Sequence, residues 1–203
     1  MKRHWVLIVG ILCIVTLAAL GCRKEENYNN STTDTSMTSV SASDTSSTTS
    51  TSTAGGTSPL SAEEKEFAMK AAQGGMAEVS GGTMAASKGT SGDVKNFGNQ
   101  MVSDHGKAND ELKTLATNKG ISLPADTDDE HKKVADELSK KSGSAFDKAY
   151  MKDMVEDHEK DVAEFKKAQS TVKDPDLKAW VDKTLPVIEG HLKMAQDINK
   201  KLK

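Results

Sequence analysis

Between Leu60 and Lys203 apolar residues recur at intervals of three and four, the spacing of one face of an α-helix, and this periodicity limits the chain to helical solutions. Four such stripes can be read at 100° per residue. The first carries Phe67, Ala71, Gly74 and Gly75, and its glycines predict a close helix approach. The second carries Val94, Phe97, Met101, Ala108, Leu112 and Leu115. The third has Phe146, Tyr150, Met154, Val162, Phe165 and Ala168, and the fourth Val181, Leu185, Ile188, Leu192, Ala195 and Leu202.

Punctuation marks the ends of these segments. Ser61-Ala62-Glu63-Glu64 reads as a capping box, opening a helix to about Ser87 whose pattern is interrupted at Gly81-Gly82. Ser91 is placed to cap the second helix, which runs to about Asn118 and stops at Gly120. Thr127 to Glu130 reads as a second capping box, for a shorter helix to about Lys141. Ser144 starts a long helix to about Thr171, and Asp174-Pro175 supplies an N-cap with proline at the first helical position. The last helix runs from there to the end, with a kink expected at Pro186. Four long helices and one short crossover helix bury four stripes most simply as a four-helix bundle, so an all-α domain is expected over residues 60–203.

Composition supports that reading and removes several functions. Aromatic content is 4% and charged content 28%, which suits helices better than strands. A net charge of −3 gives no basic field to attract nucleic acid. From Lys65 onward every basic residue is lysine, so the bidentate fork with which arginine grips phosphate is missing. Cys13 and Cys22 are the only cysteines, and the bundle region therefore has no disulfide, zinc knuckle or thiol nucleophile. No phosphate-cradling glycine loop or nucleophile elbow occurs, and an enzyme is not the expected class.

The amino end reads as an address. Lys2, Arg3 and His4 precede an apolar run from Trp5 to Leu20, short for a membrane span and suited to a signal-peptide core. The run ends in Ala19-Leu20-Gly21-Cys22, which resembles the lipobox of bacterial lipoproteins, with Ala19 where leucine is more usual. The resemblance implies that residues 1–21 are removed and that Cys22 carries lipid, anchoring the chain to a membrane. In a Gram-negative cell, Arg23 in place of aspartate implies the outer membrane, with the domain facing the periplasm. Residues 22–59 are then the lipidated cysteine and a Ser/Thr-rich linker. That linker has too little apolar area to offset its ordering entropy and is expected to be disordered.

The polar residues on the apolar faces point to function. Glu78 lies eleven residues after Phe67, within about 20° of it around the helix. His105 and His158 lie about 40° from Met101 and Met154, and His191 sits between Ile188 and Ala195. Each is near the middle of its long helix, so all four are expected at one height in the bundle. A buried Glu78 without partners would cost several kcal/mol, and the histidines are the partners available. A weak repeat reinforces the pattern, because Met101-Val102-Ser103-Asp104-His105 returns as Met154-Val155-Glu156-Asp157-His158. Asp161 follows His158 by three residues and shares its face.

Blocks around Phe67 to Val79, Phe97 to His105, Phe146 to His158 and Leu185 to Leu192 together resemble the bacterial family of unknown function catalogued as 4142. The resemblance covers about residues 60–203. It implies an exported or outer-membrane protein with a ferritin-like bundle, and no established activity. Two functions follow for the central cluster. One is a transition-metal site (zinc, copper, iron or manganese) formed by Glu78, His105, His158 and His191, with Asp104, Asp157 and Asp161 behind them or as extra ligands. The other is a hydrogen-bonded network that fixes how the helices align, in a binding or structural protein. A ferritin-type di-iron oxidase is disfavoured because no Glu-x-x-His occurs. Copper handling by Met69, Met76, Met84, Met101, Met151, Met154 and Met194 is disfavoured too, because Met101 and Met154 belong to core stripes.

Overall fold

A computed structural model describes residues 59–203, so the signal segment, Cys22 and the linker up to residue 58 lie outside the described residues. Five helices follow in order: α1 (Ala62–Lys88), α2 (Gly92–Asn118), α3 (Asp129–Ser139), α4 (Gly143–Thr171) and α5 (Pro175–Lys201). Among the described residues none is long and apolar enough to cross a membrane. Helix α1 packs chiefly on α2 and α4 on α5, while the short α3 lies against α1 and α4.

Two apolar clusters fill the bundle. One gathers Ala68, Ala72, Leu112, Phe165, Leu177, Val181 and Ile188. The other gathers Ala85, Val94, Phe97, Met101, Phe146, Tyr150, Met151, Met154 and Ala195. Helices α1 and α5 pass from the first cluster to the second, and α2 and α4 pass from the second to the first. Because α2 and α4 run the same way, the chain must travel the length of the bundle between them, and α3 lies in that crossover. Low aromatic content is offset by concentration: Phe67, Phe165 and Trp180 meet edge-on or tilted, with centroids 5.2 to 6.3 Å apart.

Local chemistry sets the helix ends, and two differ from the sequence expectation. The Ser61 hydroxyl accepts from Glu64 N–H and the Glu64 carboxylate from Ser61 N–H, so this capping box forms. The other box does not. Asp128, not Thr127, caps α3, accepting from His131 N–H at 2.9 Å. Ser91 occupies the N-cap of α2 but its side chain makes no capping bond. Asp147 of α4 instead holds the turn before α2, accepting from Ser91 N–H at 2.8 Å and from the Thr90 N–H and hydroxyl. Asp174 caps α5 as expected, and α5 continues past Pro186 as one helix.

Glu64 does a second job. Its carboxylate also accepts from Lys173 N–H at 2.7 Å and Asp174 N–H at 2.9 Å. Lys119, just past α2, reaches Asp174 at 2.6 Å and Asp176 at 2.7 Å. The start of α1, the end of α2 and the start of α5 thus meet in one polar node.

The close helix approach lies further along α1 than expected. A Cβ on Gly74 would meet nothing within 4 Å, and one on Gly75 would meet the Asn109 side chain. The tight contact is Gly82 against Gly98, where a Cβ on either would lie 2.6 Å from the other's carbonyl oxygen. Helix α1 runs unbroken through Gly81-Gly82, which serve packing rather than interruption.

Candidate functional site

Between the two apolar clusters lies a polar layer. Glu78 falls between Ala72 and Ala85 on α1, His105 between Met101 and Leu112 on α2, His158 between Met154 and Phe165 on α4, and His191 between Ile188 and Ala195 on α5. Each long helix contributes one group, and each group is at most 5% exposed. The four side chains converge as their shared height on the helices required.

His105 Nδ1 lies 2.6 Å from Glu78 Oε2, and His105 Nε2 lies 3.2 Å from His191 Nδ1. His191 Nε2 lies 2.9 Å from Asp104 Oδ2, which also accepts from Gln100. His158 Nδ1–H donates to the Met154 carbonyl at 2.9 Å. That bond fixes the neutral tautomer and leaves Nε2 as a bare lone pair. The lone pair faces Glu78 Oε1 at 3.3 Å without the angles of a hydrogen bond, and both atoms are buried with no hydrogen-bond partner.

Electrostatics keep the imidazoles neutral. Burial lowers His105 to about 4, against the pull of Asp161 and Asp104. Burial lowers His158 to about 3, helped by His105 and His191. His191 is also lowered, by burial first, although Asp104 opposes the shift. Burial, then the Asp157 charge, holds the Glu78 carboxyl well above the usual carboxylate range. The line from Asp104 through His191 and His105 to Glu78 has three contacts, each needing one hydrogen. Two neutral imidazoles supply two, and a protonated Glu78 supplies the third.

Of the three aspartates singled out by sequence, Asp104 stands behind His191. Asp157 and Asp161 instead join Glu78, with one oxygen from each of the three carboxyls within 4.8 Å of the others. Asp161 is held well above its ordinary range by burial and then by Glu78. Burial opposes ionisation of Asp157 as well, but His131, whose Nε2 is 3.7 Å away, outweighs it and keeps the carboxylate low. Asp157 in turn raises His131 to about 9. Burial and Asp157 raise Asp153 to about 6.

Sequence reasoning passed over His131 and Asp153, and read Tyr150 only as part of an apolar stripe. A signal for the acidic group was present, since Asp153, Asp157 and Asp161 recur every four residues down one side of α4. His131 belongs to the short helix, where no apolar stripe drew attention to it. The methionines of the described residues divide between core and surface. Met101, Met151 and Met154 fill the second apolar cluster, while Met69 and Met194 are exposed.

The chemistry fits a metal ion. Nitrogen atoms of His105, His158 and His191 lie within 4.8 Å of one another. The 3.2 Å between His105 Nε2 and His191 Nδ1 is close to the about 3.3 Å that two imidazole nitrogens take around a tetrahedral ion with bonds of about 2.0 Å. The other ring nitrogens are held by Glu78, Asp104 and the Met154 carbonyl, the kind of outer contact that orients histidine ligands. A cavity of about 160 Å³ between α2 and α5 is lined by Asp104, His105 and His191 and leads to this layer from solvent.

Fold and site together define an all-helical bundle with a polar histidine–carboxylate centre. The chain belongs to the family described as domain of unknown function DUF4142, whose profile matches residues 49–198. No curated protein matches it. Among solved structures, a DUF305 fragment from Deinococcus radiodurans aligns with a TM-score of 0.63 at 10% identity, covering 71% of this chain and 99% of that one. CopM in its Cu(II)-bound form aligns with a TM-score of 0.60 at 16% identity, covering 69% of this chain and 97% of that one. The Cu(I)-bound form of CopM gives 0.58 at 14%, over 68% and 96%. At such identities the likeness concerns the fold alone.

Proposed function

We propose that this domain binds a transition-metal ion, copper first among them, through His105, His158 and His191, with the Glu78 carboxyl set against them. The carrying observation is the pair of buried, unpartnered atoms, His158 Nε2 and Glu78 Oε1, facing one another at 3.3 Å. Two lone pairs so placed repel unless a positive centre lies between them. Imidazole donors favour Cu(II) over other divalent first-row ions, and similarity to a protein solved in Cu(I)- and Cu(II)-bound forms supports copper. The role fits binding or storage in the cell envelope, on a ferritin-like bundle tethered by lipidated Cys22.

Chelator-treated protein titrated with Cu(II) and, separately, with Zn(II) should bind one equivalent and melt at a higher temperature once loaded, because an ion that binds only the native state stabilises it. His158→Ala should lose both the bound ion and that rise. A wild type that binds no metal and melts alike with and without chelator would overturn the metal reading. The second reading, a metal-free hydrogen-bonded layer, draws on the Asp104–His191–His105–Glu78 line, which protonation of Glu78 can satisfy. In that case His158→Ala should cost roughly 1–3 kcal/mol whether or not metal is present. The tether has its own test. Cys22→Ser should abolish incorporation of labelled lipid, and unchanged labelling would refute the anchor.

A further inference from the structure

We propose that Glu78, Asp157 and Asp161 hold a second cation, of the hard divalent class, beside the histidine-bound ion, with Glu78 shared between the two. The inference rests on the metal reading above only for that sharing. One oxygen from each of the three carboxyls lies within 4.8 Å of the others, a spacing that fits oxygen ligands around one ion.

Acidic residues gather on many protein surfaces, but this group differs in three respects. Glu78 is 1% exposed, and its Oε1 has no hydrogen-bond partner. The Tyr150 hydroxyl is also buried and unpartnered, and it feels the charges of Glu78 and Asp153. Positive charge is also scarce. Of the three carboxyls His131 pairs with Asp157, at 3.7 Å, and its other ring nitrogen is engaged by Asp128 at 2.9 Å, while the nearby Lys160 is engaged with Glu130 at 3.2 Å. An oxygen of Glu78 lies within 4.8 Å of one of Asp161, so with both ionised they repel across a medium that screens poorly. A divalent ion removes that repulsion.

The two donor sets differ in kind. Nitrogen-rich ligation by His105, His158 and His191 suits copper or zinc, whereas oxygen-only ligation suits manganese, magnesium or calcium. Because Glu78 belongs to both, filling one position alters the other, and the pair forms a mixed two-ion centre.

The experiment uses the full-length chain, freed of metal, loaded with one equivalent of Zn(II) and titrated with Mn(II). Free Mn(II) is followed by its electron paramagnetic resonance signal and bound zinc by elemental analysis. One Mn(II) should bind per chain. Asp161→Asn and, separately, Asp157→Asn should each weaken it at least tenfold while zinc stays bound, and the exposed Asp110→Asn should change nothing. Both test variants remove a carboxylate from a crowded acidic group, and circular dichroism checks that each is folded. Zinc retained with no Mn(II) bound, or Mn(II) binding indifferent to both substitutions, would overturn the second site and leave the histidine reading standing. Mn(II) binding that depends on Asp157 and Asp161 in a protein that takes up no zinc would sustain this site and overturn the other.

Discussion

Glu78→Gln should make the metal-free domain more stable and at the same time cripple metal binding. The wild-type carboxyl sits 1% exposed among acceptors and other acids, and burial holds it well above its ordinary range. A carboxyl raised in the folded state costs nothing below the unfolded value of 4.5, where both states are protonated. The cost appears as pH rises through 4.5 and grows until the folded group itself ionises. Glutamine has no such titration, and its amide can donate to His105 Nδ1 in place of the carboxyl proton. The stability gained over wild type should therefore vanish near pH 4 and grow toward neutral pH, as chelator-treated melts across that range will show. Metal affinity should fall on the order of 100-fold, because the amide brings no negative charge and orients His105 less firmly. A variant less stable than wild type at neutral pH would show that Glu78 ionises without penalty in a network complete in itself.

Gly98→Ala should be the most damaging single methyl in the bundle. The new Cβ would lie 2.6 Å from the Gly82 carbonyl oxygen, 2.9 Å from Ala85 Cβ and 3.0 Å from Ala86 N. Backbone atoms cannot swing aside, so α1 and α2 must separate along their principal contact. A loss of about 2–3 kcal/mol is expected, roughly 5–10 °C in melting temperature by circular dichroism. Gly74→Ala gives the contrast. Nothing lies within 4 Å of its Cβ, and alanine favours helix over glycine by about 1 kcal/mol. That variant should melt higher. Equal losses in both would mean that the glycines act through backbone flexibility rather than through contact.

Much of this was legible in the amino-acid order, for physical reasons. Helix spacing exposes a stripe directly, so Glu78, His105, His158 and His191 could be recognised as polar groups on apolar faces and placed at one height. Their convergence is a consequence of helix geometry. Contacts between segments distant in sequence were not legible. Asp147 capping the turn before α2 joins residues 56 and 57 positions apart, and no local rule favours it over Ser91. The Gly82–Gly98 contact depends on which faces of α1 and α2 meet, whereas Gly74 and Gly75 looked equally suited from spacing alone. His131 reaches the acidic group only because the crossover folds back over α4. Asp157 and Asp161 were expected behind the central residues or as extra ligands among them, and that they lie beside Glu78 is a matter of side-chain direction that periodicity does not resolve.

The node at Glu64 has a mechanical meaning. The chain enters the bundle at Leu60, and any pull from the preceding segment arrives first at the Ser61–Glu64 cap. Since the same carboxylate also grips Lys173 N–H and Asp174 N–H, and Asp174 is held by Lys119, the tension divides at once among α1, α2 and α5. The start of α1 cannot peel away without breaking its bonds to the turn before α5. Strain imposed at the entry point thus meets its first resistance at that end of the bundle, 14 residues along α1 from Glu78.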